Sequence, residues 1–163
     1  MREIRRKEKA IAERSEMIEI LMSVQYVTIA MCTDNEPYLV TLSHGYVRER
    51  HCIYFHCAKE GKKIDILNSN NTVWGQALLD KGYIQGDCDH IFATVQFKGR
   101  VTFIDDLVEK KHALRVMIEC LEDNPSKVIA AKVEDSAVQK LGIGRIDIEY
   151  LSGKRAEKAD VSS

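Results

Sequence analysis

The fold class is decided by residues 36–46, which read Glu36-Pro37-Tyr38-Leu39-Val40-Thr41-Leu42-Ser43-His44-Gly45-Tyr46. Residues 38–47 have the alternation of a strand, in which successive side chains point to opposite faces. The preceding residues 34–37, Asp-Asn-Glu-Pro, are typical of a turn, and the β-branched run Tyr26–Thr33 predicts another strand. The predicted strand 38–47 has Tyr38, Val40, Leu42, His44 and Tyr46 on one face, and Leu39, Thr41, Ser43, Gly45 and Val47 on the other.

Further strands and helices are predicted on the C-terminal side of this pair. A helix is predicted to begin at Ser15, another after Gly61, and a third after Asp106, which has capping-box spacing to Glu109. Gly99 is expected to mark a bend or bulge in a strand. A segment rich in glycine and aspartate predicts a loop. The strands are expected at Cys52–Cys57, 72–79, 91–104 and 145–151, the loop at 80–90, and two more helical pieces within 124–141. This order predicts an α+β, mainly β domain built as a small antiparallel barrel or sandwich.

Composition limits the class of protein. The chain has 163 residues, 45% of them hydrophobic and 30% charged, which suits one domain with a water-exposed surface. The formal net charge of -1 gives no overall attraction to nucleic acid or anionic lipid, and no apolar run approaches the roughly 20 residues of a membrane span. The charged N-terminus lacks the apolar stretch of a signal peptide, and five cysteines without framework spacing fit a reducing compartment. We therefore expect a cytoplasmic protein that binds neither nucleic acid nor membrane.

The first candidate site is the segment of residues 54–63, where a predicted strand ends and a predicted helix begins. Free backbone N–H groups at a helix start attract anions, and the helix dipole adds to this attraction. Lys62 and Lys63 stand in the first helical turn, where the dipole disfavours cations unless an anion is bound. The alternative is that both lysines are simply solvated, as exposed lysines commonly are.

Other candidates have simple structural alternatives. Thr41, Ser43 and Gly45 give one strand face two small hydroxyls and a glycine, which a flat ring or a ribityl chain can approach closely; the alternative is an ordinary half-exposed strand face. The histidines and cysteines lack zinc-ligand spacing, so we expect no metal site, although a single histidine as a haem ligand stays open. Residues 1–14 are basic without interleaved aromatic residues, which favours a solvated helical arm or a dimer contact over a nucleic-acid site.

Taken together, these motifs resemble the pyridoxamine 5'-phosphate oxidase-like, FMN-binding split-barrel superfamily, and within it the nitroimidazole-resistance (Nim-type) flavoproteins. Residues 36–46 are similar to the family pattern P-Y-x-V-P-x-N-F-G-Y, and residues 53–64 to L-Y-F-H-S-A-x-x-G-x-K. Gly99-Arg100-Val101 and the closing segment 146–154 complete the order. The resemblance covers about residues 1–155. It implies a split β-barrel of about six antiparallel strands with flanking helices, an N-terminal helical arm, and a polar tail at 156–163.

The resemblance also implies a cofactor and a partner. It implies a homodimer with two FMN sites at the subunit interface. By position, the phosphate would be held by His56, Cys57, Lys62 and Lys63, while Thr94 stands where the family has a small hydroxyl near the cofactor. The isoalloxazine and ribityl parts would lie along Thr41, Leu42, Ser43, His44, Gly45 and Tyr46. This chain departs from the family pattern at Thr41, Ser43, His44 and Cys57, where proline, asparagine, phenylalanine and a hydroxyl residue are usual.

The implied function is an FMN-dependent oxidoreductase acting on a small molecule, either nitroreductase- or quinone-reductase-like or related to pyridoxamine phosphate oxidase. His44 is a candidate proton donor beside the flavin, since its ordinary pKa allows both forms near neutrality; the alternative is a packed strand histidine. A second hypothesis is a flavin- or haem-binding module without turnover, serving storage, sensing or electron transfer. A third is an interaction domain that has kept the barrel and lost the ligand.

Overall fold

The computed structural model describes residues 4–157, and the hairpin predicted from the sequence lies at one edge of its sheet. Asp34 and Asn35 have φ values of 50° and 64°, the left-handed conformation that a tight hairpin turn requires. They join strands β2 and β3, which pair in register from Tyr26 opposite Ser43 to Thr33 opposite Glu36. This part of the prediction is confirmed.

Eight strands and five α-helices follow one another along the chain. One 3-10 turn, Lys7–Lys9, precedes them. The strands are β1 Ala10–Ile11, β2 Tyr26–Thr33, β3 Glu36–Ser43, β4 Gly45–Val47, β5 Cys52–Cys57, β6 Thr72–Ile84, β7 Asp89–Ile104 and β8 Gly142–Ala156, and the helices are α1 Arg14–Ser23, α2 Lys62–Ser69, α3 Leu107–Leu121, α4 Pro125–Lys132 and α5 Asp135–Val138.

The sheet is antiparallel throughout and curls back on itself. Its strand order is β3-β2-β6-β7-β8-β5-β4, with β1 paired to β8. Strands β3 and β4 therefore lie at opposite edges, yet His44 is the single residue between them. Because one residue spans only a few ångströms, the two edges must meet there. The sheet is an open barrel with a seam at residues 43–45, and the predicted split-barrel, mainly β class is confirmed.

The barrel has a filled interior and an outer face that is covered only in part. The interior is made by alternating apolar side chains such as Val27, Ile29, Phe55 and Phe97. On the outer face, a second apolar cluster joins β4, β5 and the start of β8 to α3 and the segment behind it; its largest members include Tyr54, Met117, Val138 and Ile143. Within residues 4–157, the outer faces of β2, β3 and β6 are uncovered enough that large apolar side chains are exposed there.

Several boundaries differ from the sequence predictions. The strand predicted at 38–47 is divided at His44, and the loop predicted at 80–90 is mostly strand, with an irregularity between Asp80 and Tyr83. Strand β8 is more than twice as long as the predicted 145–151, because the polar residues after Leu151 pair with β7. Lys98 and Gly99 mark a break in register, as predicted.

The N-terminal predictions are only partly correct. Where a helical arm was expected, the described residues form a 3-10 turn and strand β1, which pairs with β8. Ser15 lies inside α1 rather than capping it; Glu13 holds the N-cap position and makes no side-chain capping bond. Residues 158–163, most of the predicted tail, lie outside the described residues. Within residues 4–157, no helix has the length and apolar character needed to cross a membrane.

Candidate functional site

The junction between β5 and α2 has the geometry expected of an anion site. Gly61 is the N-cap of α2 with a φ of 123°, and no side chain caps the helix. By contrast, α3 is capped by Asp106, whose Oδ1 accepts from the N–H of Glu109 at 2.8 Å. The start of α2 therefore keeps backbone N–H groups for an acceptor from outside the helix.

Both lysines of the first turn lie at this junction and are held by weak contacts. Lys62 Nζ is 3.6 Å from Glu36 Oε1 and 4.8 Å from the ring centroid of Tyr38. Lys63 Nζ is 5.6 Å from the ring centroid of Phe55. An exposed ion pair at 3.6 Å contributes little to stability, so Lys62 can exchange Glu36 for a stronger anion.

The structure brings Ser43 and His56 into one cavity, at the border between the helix-covered and the uncovered parts of the outer face. The cavity has a volume of about 290 Å³ and opens to solvent at the exposed His56. Its wall is mostly apolar and comes from α3 and α4. The lining residues are Ser43, His56, Leu114, Met117, Ile118, Leu121, Glu122, Val128 and Lys132.

Cys57 does not share this cavity with its neighbour His56. Successive strand side chains point to opposite faces, and Cys57 lines a different cavity with Ile64 of α2 and Phe103 of β7. Burial raises the pKa of the Cys57 thiol, although the nearby Lys63 opposes the shift. Because the two side chains lie on opposite faces of β5, one ligand group can contact both only if it lies beyond the C-terminal end of the strand.

The residues predicted to lie along a flat ring are divided between the two faces of β3 and β4. Thr41 is exposed on the outer face, where its Oγ1 is 3.0 Å from Oγ1 of Thr28. Leu42 and Tyr46 point into the barrel interior. Gly45 lies against α3: a Cβ there would be 2.8 Å from Val116 Cγ1 and 3.0 Å from Met117 N. Side chains at Thr41 and Ser43 are thus available to a ligand, whereas Gly45 is needed for close helix packing.

His44 is buried at the seam, with 3% of its surface exposed. Its Nε2 is 3.0 Å from the carbonyl oxygen of Leu21, and its Nδ1 is buried without a hydrogen-bond partner among the described residues. Burial lowers the pKa of His44, and the backbone of Leu21 and Gln25 opposes this shift only in part. This placement favours the packed-histidine alternative over the proton donor.

Thr94 shares the uncovered outer face with Thr41. Its Oγ1 donates to the carbonyl oxygen of Lys154 at 3.3 Å. Three strand spacings separate β3 from β7, which is about 14 Å. An extended ligand lying across the outer face could therefore reach both hydroxyls, whereas the β5–α2 junction is a separate region of this chain.

A row of polar side chains on the same face was missed in the sequence. Thr41 pairs with Thr28, Thr28 with Gln76, and Gln76 with Gln96. Beside this row, Thr28, Gln76 and Gln96 line a shallow cavity of about 430 Å³ together with Ala30, Leu39, Trp74 and Gly75. The sequence predicted a strand at 72–79, but only the strand register shows which side chains stand next to each other.

The histidine and cysteine side chains considered as metal ligands are spread over the fold. Among residues 4–157, no three histidine, cysteine, aspartate or glutamate side chains gather closely enough to hold a metal ion. His90 pairs with Asp80, 2.8 Å away, on the β6–β7 hairpin, while His51 Nδ1 is 2.6 Å from the hydroxyl of Tyr46.

An open antiparallel barrel with a seam, an uncapped helix after β5 and a helical cover defines a split-barrel protein. The family model described as pyridoxamine 5'-phosphate oxidase matches residues 13–155. The chain therefore belongs to the pyridoxamine 5'-phosphate oxidase family, and the superfamily predicted from the motifs is confirmed. No curated relative matches the sequence.

Solved structures support the same fold. A candidate 5-nitroimidazole antibiotic resistance protein from Bacteroides thetaiotaomicron superposes with a TM-score of 0.75 at 23% identity, covering 89% of this chain and 85% of that one. The flavocytochrome Anf3 from Azotobacter vinelandii gives a TM-score of 0.79 at 17% identity, over 96% and 73% of the two chains. A FAD-binding protein from Mesorhizobium loti gives 0.67 at 24% identity, over 91% and 98%. At these identities the similarity establishes the fold.

Proposed function

We propose that this chain is a flavoprotein whose cofactor is FMN, held by its phosphate at the β5–α2 junction. The observation that carries the proposal is the uncapped start of α2, which combines free backbone N–H groups with Lys62 and Lys63. A phosphate there would accept charge-assisted hydrogen bonds from both lysines and would also offset their unfavourable position in the helix dipole. His56 and Cys57, at the end of β5, are the nearest predicted partners for the remaining phosphate oxygens.

The flat ring system is proposed to lie on the outer face beside the seam. Ser43 and His56 bring a hydroxyl and an imidazole to a cavity with an apolar wall, a combination that suits an aromatic ring with polar edges. Thr41 continues this surface along β3 with an exposed hydroxyl. Leu42, Gly45 and Tyr46 then act from behind, by fixing the strand that the ring lies against.

The proposed partner is a second copy of the chain, in a homodimer with FMN at the subunit interface. The uncovered outer face supports this proposal, because Leu39 is 62% exposed, Leu78 50% and Trp74 39%. Adjacent exposed apolar side chains of this size are typical of an interaction surface. Thr94 lies on this same face, so in a dimer it can contribute to a flavin held by either subunit.

The proposed activity is oxidoreduction of a small molecule, of the nitroreductase or quinone-reductase type or related to pyridoxamine phosphate oxidation. The flavin would supply the electron chemistry, and the protein would supply binding and position. Within the Ser43–His56 cavity, the exposed imidazole of His56 is the side chain best placed to hydrogen-bond a small-molecule substrate. A cytoplasmic location stays a prediction.

The visible spectrum of the purified protein tests the flavin proposal. We expect the two bands of an oxidised flavin, and chromatography of the heat-released cofactor should identify FMN rather than FAD. A colourless preparation that also fails to take up added FMN would refute flavin binding and leave the interaction-domain hypothesis.

The rate of reoxidation tests turnover. The reduced holoprotein is mixed with nitroaromatics or quinones, and its rate of reoxidation is compared with that of free reduced FMN. Equal rates would contradict an enzymatic function.

A second candidate function is a flavin- or haem-binding module without turnover. The observation in its favour is the fold similarity to a flavocytochrome over 96% of this chain. An intense Soret band after haem addition, lost on substitution of His56 but kept on substitution of the surface residue His90, would support it.

A further inference from the structure

Lys110 of α3 is a buried cation that has no anionic partner among residues 4–157. Only 5% of its surface is exposed. Its Nζ donates to the carbonyl oxygen of Leu141 at 3.1 Å, and no carboxylate of the described residues lies within ion-pair distance of it. Lysine is almost never buried unless it is paired, and an uncompensated buried charge costs several kcal/mol. The position of Lys110 therefore favours an anion that residues 4–157 do not provide.

The ammonium group borders a cavity at one end of the barrel, where β5 and β7 end and β8 begins. The cavity has a volume of about 280 Å³. Its polar lining comes from Lys110, Asn68 of α2, Lys59 and Asp105, and its apolar lining includes Phe103 and Ile143. A few polar groups in a mostly apolar pocket of this size are typical of a site for a small organic ligand.

The other charged groups of the cavity do not neutralise Lys110. Asp105 lines the same cavity. Among the described residues, however, its carboxylate forms no ion pair with the Lys110 ammonium within 4.0 Å. The Lys59 ammonium adds a second positive charge; it donates to the carbonyl oxygen of Gln139 at 3.0 Å. The cavity is lined by two ammonium groups, each donating to a carbonyl oxygen, and by one carboxylate. The resulting net positive charge attracts an anion.

This cavity adjoins the β5–α2 junction, because Cys57, Ile64 and Asn68 line it, but its buried charged group comes from α3. It shares no lining residue with the cavity of Ser43 and His56, and neither Lys62 nor Lys63 lines it. Its one connection to the predicted cofactor residues is Cys57, whose side chain points away from His56. The burial of Lys110 is observed whether or not a flavin binds, and variants of Lys110 and of Lys62 with Lys63 distinguish an anion in this cavity from a phosphate at the start of α2.

We propose that the Lys110 cavity is a binding site for a small organic anion, whose phosphate or carboxylate group pairs with the Lys110 ammonium and whose apolar part lies against Phe103 and Ile143. Asn68 supplies an amide donor for a second oxygen of the anion. Asp105 can accept a hydrogen bond from a hydroxyl or amine of the same ligand.

Alkylation of Cys57 by iodoacetamide reports on occupancy of the cavity. The purified full-length chain is labelled at mildly alkaline pH with and without each probe, inorganic phosphate or benzoate, and the labelled peptides are quantified by mass spectrometry. Cys88, exposed on the β6–β7 hairpin, is the internal reference. At about ten times its Kd, a probe in the cavity should slow labelling of Cys57 by about tenfold and leave Cys88 unchanged. Protection by phosphate alone indicates a phosphate ester, and protection by benzoate a carboxylate with an apolar body.

Variants separate this site from the flavin site. Lys110→Gln keeps a donor for the Leu141 carbonyl but removes the charge, so protection should be lost; Lys110→Arg should keep it. Lys111→Gln, at the next position of α3, is the matched control: its ammonium pairs with Asp135, 2.6 Å away, and does not line the cavity, so the variant should behave as the parent. Protection that survives Lys110→Gln but is lost in the Lys62→Ala, Lys63→Ala double variant would overturn the proposal and place the anion at the start of α2. Equal labelling of Cys57 with and without both probes in the parent chain would overturn it without any variant.

Discussion

The Nε2 atom of His44 lies 3.0 Å from the carbonyl oxygen of Leu21. Because a carbonyl oxygen only accepts, Nε2 must carry a proton. A neutral ring then has a bare Nδ1, and this atom is buried without a partner among the described residues. The contact ties the seam of the barrel, at residues 43–45, to α1. It also explains why the chain can pass from β3 to β4 in one residue without exposing the polar side chain between them.

The burial of His44 makes the stability of the protein depend on pH. Burial lowers the pKa of His44 below its ordinary value of 6.5, so the unfolded chain binds a proton more readily than the folded one. The contribution of neutral, buried His44 to stability is therefore full above pH 6.5 and is lost progressively as the pH falls from there toward the lower pKa of the folded state. Each unit between the two pKa values is worth about 1.4 kcal/mol. Urea unfolding at a series of pH values should show the loss.

The matched variants for this prediction are His44→Gln and His90→Gln. The first removes the buried titrating group, so the slope of stability between neutral and mildly acid pH should become smaller. The second removes a histidine of the exposed β6–β7 hairpin and should leave the slope close to that of the parent. An unchanged slope in His44→Gln would show that the proton is taken up elsewhere.

Substitution of the two lysines tests the proposed phosphate contact. Lys62→Ala and Lys63→Ala should each weaken FMN binding by about 1–3 kcal/mol, because each removes a charge-assisted hydrogen bond. Fluorescence quenching of added FMN measures the affinity, with Lys81→Ala on the β6–β7 hairpin as the control. Unchanged affinity in the double variant would place the phosphate elsewhere.

The ion pair between Lys62 and Glu36 permits a sharper form of this test. Their charged groups are 3.6 Å apart, so the carboxylate competes with any phosphate for the same ammonium. Glu36→Gln removes the competitor and should tighten FMN binding, whereas alanine at position 62 loosens it. A general loss of stability would weaken FMN binding in both variants. Tighter binding in Glu36→Gln and weaker binding in Lys62→Ala would therefore be specific to the ion pair. Weaker binding in Glu36→Gln would argue that the carboxylate helps to position Lys62.

The exposed apolar side chains of the outer face make the dimer proposal testable. Trp74→Glu and Leu39→Glu should each shift the protein toward monomer in sedimentation velocity, since a buried carboxylate at an interface is costly. The control is Val108→Glu: Val108 is 76% exposed on α3, away from this face. A dimer that persists in both outer-face variants, or a parent chain that is monomeric, would exclude this surface as the interface.

Much of the barrel could be predicted from the sequence because local rules and the final structure agree. Asp34 and Asn35 favour a left-handed turn, and the strands on either side alternate in the expected way. Asp106 and Glu109 formed the predicted cap. The failures are cases in which tertiary pairing overrode local pattern: the polar end of β8 is a strand because β7 and β1 pair with it, and no local signal distinguishes such a strand from a polar tail.

The candidate site was less predictable, for a physical reason. Sequence assigns a residue to a strand, but it does not say what covers each face. Gly45 looked suited to close approach by a ring, and the group that approaches it closely is α3. Lys110 carried no signal at all, since a lysine in an amphipathic helix is ordinarily exposed, and only the structure shows its burial.

A network around Glu109 joins α3 to β5 and β8. Glu109 Oε1 accepts from Arg145 Nη1 at 2.7 Å and from the Tyr54 hydroxyl at 2.8 Å, while Arg145 also forms two hydrogen bonds with Asp147. Partial burial opposes ionisation of Glu109, but the bonds from Arg145 and Tyr54 outweigh it and lower the pKa of Glu109. Burial and the bond to Glu109 raise the pKa of Tyr54 to about 12.

Glu109→Gln should therefore change both stability and titration. A charged acceptor is lost, so the free energy of unfolding should fall by about 1–3 kcal/mol at neutral pH. The difference from the parent should shrink as the pH falls below the ordinary range of a glutamate, because a lowered folded-state pKa contributes stability only above that range. Phenolate absorbance should show Tyr54 ionising at lower pH in the variant. Glu119→Gln, on the same helix, is the control, and an unchanged tyrosine titration would show that burial alone sets the pKa of Tyr54.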